Sequence, residues 1–272
     1  MKRLIFCWAL FLMANYIIAQ NKIDKSTAKL TERQQTTTQR LKREPGNDDN
    51  DEPTLLGDAF RYTIGAVLRY GFIGDYEIED HLYNDLTKYP FYDAEAGNFY
   101  NPKSDEGSIY EFRIDMADKF LISGNNLIGN HLEVKIRPLH AFYLKAQYYQ
   151  LHEFQKAKGT NDALSLFYFN FAYDRIRFER FNLGWTLGAS YIASGVNTAG
   201  FAFGLNADYF LRKRLSFSAG ANWSFINSQP VHAYEAEIKI HRKNHFLSLG
   251  YERLKIADPV YNFMTLGGGI YF

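Results

Sequence analysis

The side chains best suited to acid–base chemistry in this sequence are its seven histidines. Two of them have acidic neighbours in the chain, because His152 precedes Glu153 and His81 follows Asp80. An acid of this kind can orient an imidazole that acts as a general base in a hydrolase. Charged pairs are equally ordinary in surface loops, and His232 has no serine or carboxylate on the matching face of a neighbouring segment. We therefore predict no catalytic residue and keep a hydrolase as the weakest functional hypothesis.

The sequence carries no persuasive motif for a metal ion, a cofactor or a nucleotide. Its one cysteine, Cys7, lies in an apolar N-terminal run, so removal of that run would leave no thiol for disulfides or metal sites. No helix follows Gly267–Gly269, so this triplet does not fit a phosphate-binding loop. A formal net charge of +1 gives no reason to expect nucleic acid as a partner. We predict no metal, no cofactor and no nucleic-acid partner.

Charged residues of both signs recur at every second position in several segments, which places them on one face of each predicted strand. The set comprises Arg61, Arg69, Glu111, Arg113, Asp115, His131, Glu133, Lys135, Arg137, Lys145, Glu235, Glu237 and Lys239. Small polar residues take the corresponding positions from Asn182 to Ser224. If the strands surround a common interior, the charges either pair and close it or form one wall of a narrow, water-filled channel. Both interpretations stay open.

The first 19 residues have the layout of a cleavable secretory signal peptide. Met1–Arg3 is basic, and Leu4–Ile18 is an apolar run of about 15 residues, shorter than the roughly 20 that a spanning helix needs. The small residue Ala19 then precedes polar sequence, although Ile17 is larger than the residue usually found at its position. We predict export, with residues 1–19 removed.

Residues 20–57 are too polar to form a core of their own. The stretch from Asn21 to Arg43 is rich in Lys, Arg, Gln and Thr, and Asn47–Glu52 is acidic. Such a segment cannot bury enough apolar surface to offset its ordering entropy. We predict a disordered, periplasmic leader, with the alternative that Thr27–Leu41 becomes helical on contact with a partner.

From residue 58 onward the chain alternates apolar and polar residues. Aromatic residues make up 17% of the sequence, with 23 Phe and 20 Tyr, yet the mean hydropathy is only −0.33. Eleven segments alternate clearly; Phe181–Tyr191 and Leu215–Phe225 are among the cleanest, and Ala59–Phe72 is the first. A period of two is that of a β-strand with one apolar and one polar face. The sequence predicts an all-β fold.

The last strand carries the most specific signal. Apolar residues occupy nearly every second position up to a final aromatic residue: Met264, Leu266, Gly268, Ile270 and Phe272. This pattern resembles the C-terminal signal of Gram-negative outer-membrane β-barrel proteins. The resemblance implies that the barrel-assembly machinery reads this strand, that outer-membrane lipid surrounds the barrel and that the protein resides in the outer membrane.

The polar faces favour a membrane barrel over a soluble sandwich. Gly, Ser, Asn and Thr dominate several of them and would make a poor exterior for a soluble protein, and aromatic residues collect near strand ends, where interfacial girdles lie. An up-and-down barrel of this class has an even number of antiparallel strands. We predict twelve, with a weak strand near Asn98–Tyr100, or ten if Ala59–Phe72 lies outside. Periplasmic turns are expected at Pro138–His140, Arg175–Arg177, Arg212–Arg214 and Arg242–Asn244.

Residues 73–107 form the longest interruption in the alternation and are predicted to be a loop or a plug. The stretch is acidic and aromatic, and its candidate partner-binding residues are Tyr76, Tyr83, Tyr89, Phe91, Tyr92, Phe99 and Tyr100. Long loops of barrels often carry function. We predict a non-enzymatic structural or accessory subunit that meets other envelope proteins through residues 20–57 or 73–107. A narrow porin-like channel for small polar solutes is the alternative, and an outer-rim lipid hydrolase the weakest.

Overall fold

The chain forms a closed antiparallel barrel of ten strands. The computed structural model describes residues 22–40, 67–92, 97–102, 112–124, 126–155, 160–211 and 213–272. The barrel strands are β3 (Arg113–Ser123), β4 (Leu127–Arg137), β5 (Phe142–Gln155), β6 (Thr160–Phe178), β7 (Phe181–Ile192), β8 (Thr198–Phe210), β9 (Leu215–Ile226), β10 (Gln229–Arg242), β11 (His245–Ile256) and β12 (Val260–Tyr271). Each pairs with the next in the chain, and β12 closes the ring on β3. The predicted antiparallel up-and-down barrel is confirmed.

The alternation in the sequence sorts the side chains between the outside and the inside of the barrel. On β5, Leu144 points outward and is 53% exposed, whereas its neighbours Tyr143 and Lys145 point inward and are buried. The same division continues around the ring. The most exposed large apolar side chains on the barrel strands are Phe201 at 68% and Leu247 at 70%. Apolar outside and polar inside is the reverse of a soluble barrel and matches a barrel surrounded by lipid.

The preferred count of twelve barrel strands is wrong, and the alternative of ten is confirmed. The predicted strand Ala59–Phe72 extends beyond the described residues at its start, and the part described, Val67–Ile73, is a π-helical turn. Phe99–Tyr100 is a strand of two residues, β2, but it pairs with β1 (Asp85–Leu86) and not with the barrel. Because β12 already pairs with β3, the ring has no free edge that a further strand could join.

The two ends of the barrel are distinguished by what covers them. At the end that we call the base, near Phe112 and Phe272, the chain passes from β4 to β5, from β6 to β7, from β8 to β9 and from β10 to β11. At the other end, the mouth, it passes from β3 to β4, from β5 to β6, from β7 to β8, from β9 to β10 and from β11 to β12. The turn predicted at Arg175–Arg177 is wrong. There β6 continues to Phe178, with a β-bulge between Asp174 and Ile176 that absorbs the extra residue.

The polar segment after residue 21 differs from the disordered leader that was predicted. Lys22–Arg40 forms an α-helix, α1, which begins five residues before the helix that was considered as the alternative. The partner that orders it is the barrel itself, since Ile23 and Leu30 are buried in the mouth. No helix in the described part of the chain is long and apolar enough to cross a membrane.

Candidate functional site

The lumen is filled by three layers of side chains, and the middle layer is a network of ion pairs. Lys119 on β3 places its Nζ atom 2.8 Å from carboxylate oxygens of both Glu235 on β10 and Glu252 on β11. Lys119 and Glu252 are almost completely buried, at 3% and 1% exposure. Buried charges persist only when they are paired and hydrogen-bonded. The lysine and the two carboxylates therefore hold each other in place.

Other members of the middle layer meet across the full width of the barrel. Lys145 on β5 lies 2.8 Å from Glu133 and 3.6 Å from Glu235. β5 and β10 are five positions apart in a ring of ten, so these side chains come from opposite walls. Gln147 on β5 likewise accepts a hydrogen bond of 3.1 Å from Asn222 on β9. The centre of the lumen is occupied by protein.

His131 belongs to this layer and contacts Glu252 on β11. Its Nδ1 atom lies 2.9 Å from Glu252, and its ring stacks on Tyr149 with centroids 3.8 Å apart. Ligand atoms of His131, Glu235 and Glu252 lie within 4.8 Å of one another, as in a metal site. The ammonium group of Lys119 already contacts both carboxylates, however. Lys119 therefore supplies a positive charge beside both carboxylates of this cluster.

The layer at the base is made of arginines and aspartates. Arg137 reaches Asp115 at 3.1 Å and Asp174 at 2.8 Å, and its guanidinium group lies over the ring of Tyr143. Arg113 pairs with the other oxygen of Asp115 at 2.7 Å. Guanidinium groups suit such sites because they can donate to two acceptors at once. This layer ties β3, β4 and β6 together.

The mouth layer is apolar and holds α1. Leu121, Leu151 and Leu254 are among the fully buried inward residues with which Ile23 and Leu30 form one apolar cluster. Residues three, four or seven positions apart lie on one face of a helix. Ile23 and Leu30 are seven positions, or two turns, apart and so share a face. The remaining faces of α1 are polar. The helix therefore needs only one apolar stripe to dock.

A carboxylate from the barrel caps the start of α1. The backbone N–H groups of Lys22 and Ile23 donate to Glu153 at 3.2 and 2.9 Å. Ser26 donates to a backbone oxygen of β11 and lies 2.7 Å from the hydroxyl of Tyr261. An anion at a helix N-terminus satisfies free N–H groups and interacts favourably with the helix dipole. These contacts fix the helix in the mouth.

Residues 67–92 and 97–102, which we call the base cover, cover the base from the outside and from below. The π-helical turn packs on β6 and β7, where Trp185 donates to the backbone of Phe72 at 2.9 Å. Asn84 donates to the backbone oxygen of Arg177 at 2.6 Å. Asn98 accepts from Arg113 at 2.9 Å, and therefore lies inside the base. Residues 73–92 and 97–102 of the predicted loop or plug therefore lie at the base, and the rest of 73–107 lies outside the described residues.

An ion pair between Glu79 of the base cover and Arg175, near the end of β6, fastens this cover. Arg175 at the bulge of β6 donates to both carboxylate oxygens of Glu79, at 2.8 and 2.7 Å. The hydrogen bonds from Arg175 hold the pKa of Glu79 at about 2, well below its usual value. His81 lies 3.2 Å from the same carboxylate, and partial burial lowers the pKa of its imidazole.

A small polar cavity of about 20 Å³, partly open to solvent, lies between the middle layer and the base cover. Its charged lining is balanced between cations and acids: Lys135, Arg137 and Lys239 against Asp115, Glu133 and Asp208. Such a lining suits bound water.

The histidines do not form an active site with the described residues. His152 and Glu153 are neighbours on one strand and so point to opposite faces, outward and inward. His232 packs against aromatic rings, with its ring centroid 5.8 Å from that of Phe225. The sequence missed a buried pair, His241 and Ser216, 2.8 Å apart.

His241 and Ser216 are as close as a general base and its nucleophile. The described residues provide no third group that would orient the imidazole of His241. The Nδ1 atom of His241 finds no hydrogen-bond partner among the described residues. Aromatic rings surround the imidazole instead, including Phe91 at 5.1 Å and Phe246 at 5.7 Å. Without a group that orients the ring, the arrangement does not activate Ser216.

The predicted residues fall into three groups by position. Within the lumen lie Arg113, Asp115, His131, Glu133, Lys135, Arg137, Lys145, Glu235, Glu237 and Lys239. Arg69 is not a lumen residue, because it lies in the exposed π-helical turn outside the barrel, and Arg61 and Glu111 fall outside the described residues. The sequence missed Lys119 and Glu252. Both continue the polar face of a predicted strand, so extending those strands would have found them.

The other two predicted sets also have clear positions. Met264, Leu266, Gly268, Ile270 and Phe272 share the outward face of β12 and its end, and their reading by assembly machinery stays a prediction. Of the predicted partner-binding aromatics, Tyr76, Tyr83 and Tyr92 are exposed. Phe99 is buried in the base cover, and Phe91 packs against His241.

A closed barrel with an apolar outer face and a polar, filled interior defines the class of integral outer-membrane β-barrel proteins. The chain is such a barrel, located in the bacterial outer membrane. No protein-family model matches its sequence, and no curated protein matches it.

Several solved outer-membrane structures are similar to parts of the chain. Ail of Yersinia pestis in a phospholipid nanodisc is 15% identical with a TM-score of 0.36, over 60% of this chain and 100% of Ail. An outer membrane channel from Pseudomonas putida F1 is 9% identical with a TM-score of 0.39, over 64% of this chain and 100% of that one. A bacterial polysaccharide outer membrane secretin is 7% identical with a TM-score of 0.31, over 59% and 97%. TM-scores below 0.5 are too low to carry an argument about function.

Proposed function

We propose that this protein is a closed, non-conducting outer-membrane barrel that serves as a non-enzymatic structural or accessory subunit of an envelope complex. One observation carries the proposal: ion pairs of the middle layer cross the lumen, because Lys145 on β5 meets Glu235 on the opposite wall, and Lys119 links β3 to β10 and β11. A barrel whose centre is crossed by paired charges offers no continuous path for a solute.

The energetics support a permanently closed lumen. Separating a buried ion pair costs several kcal/mol, because each charge loses its partner before water can replace it. The middle layer contains several such pairs that share members, so opening it requires breaking them together. The apolar layer that holds α1 closes the mouth, and the base cover closes the base. Neither closure depends on the ion pairs of the middle layer.

The alternative of a narrow porin-like channel has one observation in its favour. The cavity beneath the middle layer is polar and partly open, so water reaches at least part of the way into the barrel from the base. A channel would require the ion pairs above it to separate. The same electrical measurement tests both functions.

An outer-rim lipid hydrolase is the least supported function. His232 lies on the outer face near the mouth but contacts aromatic rings, and His241 lacks an orienting partner among the described residues. Loss of a lipid-hydrolysing activity on replacing His232 or His152 would revive this hypothesis.

The proposed role requires a surface for other envelope proteins. The side chains available for this at the base are exposed aromatic and aliphatic residues on the cover, with Ile78 at 76% and Tyr83 at 59% exposure. Exposed apolar groups of this kind beside a membrane are candidates for protein or lipid contacts.

The first experiment is purification from native membranes in a mild detergent, followed by mass spectrometry of the proteins that remain bound. A stoichiometric envelope partner is the expected result. Y83A with I78A should reduce its yield, whereas Y251A, a change of an exposed tyrosine on the opposite half of the barrel surface, should not. A barrel that purifies alone and conducts ions steadily in planar bilayers would overturn the proposal in favour of the channel.

A further inference from the structure

One acidic side chain, Asp118, lies at mid-height on the mainly apolar outer face of the described barrel. It is the sixth of the eleven residues of β3 and points outward between Met116 and Phe120. The other acidic, basic and histidine side chains that point outward from the described barrel strands lie within the first or last four residues of a strand, as Arg253 does. Asp118 is therefore placed where the surrounding lipid is most apolar.

The neighbours of Asp118 leave its carboxylate open on one side. Its direct partner on β4 is Leu132, and its direct partner on β12 is Gly268, which has no side chain. Leu247 pairs with the glycine from β11 and is 70% exposed, and Leu266, two residues before the glycine on β12, is 62% exposed. A side chain from outside can therefore lie over Gly268 and reach the carboxylate.

The chain itself satisfies only part of this carboxylate. The amide of Asn130 on β4 donates to Oδ1 of Asp118 at 2.6 Å, and the described residues provide no second side-chain hydrogen bond. A polar group that faces hydrocarbon is costly unless it finds a partner. An ionisable residue in such a position is most often a contact site.

We propose that Asp118 is an intramembrane docking site for a membrane-spanning segment of an envelope partner that presents a lysine or arginine at this depth. Charge complementarity decides between this occupant and a second copy of the chain. The outer face of the described barrel offers no cation at mid-height, so a second copy has none to place against Asp118. An arginine or lysine forms a charge-assisted hydrogen bond with a carboxylate, which is strongest where water is excluded. This inference rests on the proposed accessory function.

The test is site-specific photo-crosslinking of the full chain in its native outer membrane. The photoreactive residue replaces Phe120, beside Asp118, or Leu205 on β8, five strands away on the opposite wall. We expect a protein adduct from position 120 and none from position 205. The adduct should map to a membrane-spanning segment of the partner that contains a basic residue.

Substitutions then test the carboxylate. D118L should lower the adduct yield at least about tenfold, the loss expected for roughly 1.4 kcal/mol of binding energy. The matched control is N262L, because Asn262 is also an outward polar residue with a side-chain partner, Tyr251 at 2.8 Å, but lies near the mouth. N262L should leave the yield unchanged. Urea unfolding of both variants verifies that each barrel is folded.

The outcomes separate this inference from the proposed function. An undiminished protein adduct in D118L, an adduct formed by a second copy, or adducts with lipid alone would refute the docking site. If a stoichiometric partner still co-purifies with D118L, the accessory function stands and its contact lies elsewhere. If no partner is captured from any position and the barrel conducts, the proposed function fails as well.

Discussion

At the scale of single residues, the interior depends on a few charged side chains that each serve several partners. Lys119 is the clearest case, since it contacts two carboxylates from two different strands. Glu153 is another, because one buried carboxylate binds two backbone N–H groups of α1. Removing such a residue leaves more than one group unsatisfied. The effect on stability is therefore expected to exceed that of a single surface pair.

K119M should reduce the free energy of unfolding by about 3–5 kcal/mol, because it leaves Glu235 and Glu252 buried with fewer partners. The measurement is urea unfolding of the purified barrel in lipid or detergent. K255M, a change of an outward lysine near the mouth, should stay within about 0.5 kcal/mol of the wild type. Equal effects of the two substitutions would mean that the middle layer is not a coupled network.

E153A should loosen α1 without unfolding the barrel, because it removes the acceptor of two N–H groups at the start of the helix. We expect a cost of about 1–2 kcal/mol and a rise of roughly 5- to 30-fold in the rate of trypsin cleavage within residues 22–40. E153Q keeps an acceptor oxygen and should lie between E153A and wild type. Unchanged cleavage in E153A would show that the apolar stripe of Ile23 and Leu30 alone holds the helix.

At the scale of elements, alternation predicted the strands well but did not say which segments join the ring. The ten barrel strands coincide with ten of the eleven alternating segments. The eleventh, Ala59–Phe72, has the same pattern, yet its described part, Val67–Ile73, is a π-helical turn on the outer face. An apolar face can pack on lipid or on the outside of the barrel. The sequence pattern is the same in both cases, so alternation did not show that this segment lies outside the ring.

Acid should release the base cover before it unfolds the barrel. The folded-state pKa of Glu79 is about 2, lower than its ordinary value. Its ionised pair with Arg175 therefore stabilises the cover above the ordinary pKa of glutamate, near 4.5, and this contribution is lost as the pH falls toward 2. Trp185 reports the change, because its ring N–H is bonded to the backbone of Phe72.

The measurement is tryptophan emission of a W223F variant between pH 5 and 2, read at single pH steps. We expect the emission of Trp185 to change within this pH window. E79Q should abolish this change, because the variant lacks the ionised pair and its cover is weakened at every pH. D75N, which alters a nearby acid of the same segment, is the control. A transition that is identical in E79Q would assign the change to another group.

At the scale of the whole molecule, three independent closures lie along one axis. α1 fills the mouth, ion pairs cross the middle, and the base cover closes the base. Each closure uses a different interaction: apolar packing, buried charge and backbone hydrogen bonds. These closures support the proposal of a barrel that does not conduct.

The purified protein should show no steady conductance in planar bilayers, and deletion of residues 22–40 alone should leave it closed, because the middle layer remains. Combining that deletion with K145A and E235A removes two members of the ion pairs that cross the centre and should produce brief openings. Steady conductance of the wild type would support the channel. Steady conductance after the deletion alone would make α1 the gate.

The sequence by itself determined the class of fold and the division between outside and inside. The period of two, the aromatic content and the pattern of Met264–Phe272 are local properties, and lipid selects the apolar face of every strand in the same way. The same alternation identified most of the residues that line the lumen. Lys119 was missed because β3 continues beyond the segment in which its alternation is clear.

Only the tertiary structure decided which residues meet. Ring closure between β12 and β3 fixed ten strands and excluded an eleventh, and it brought Lys145 to Glu235 from opposite walls. The docking of α1 depended on Glu153, which lies 130 residues from Ile23 in the chain. Contacts of this kind are set by the number and stagger of the strands around the whole ring, a global property that no local pattern of residues encodes.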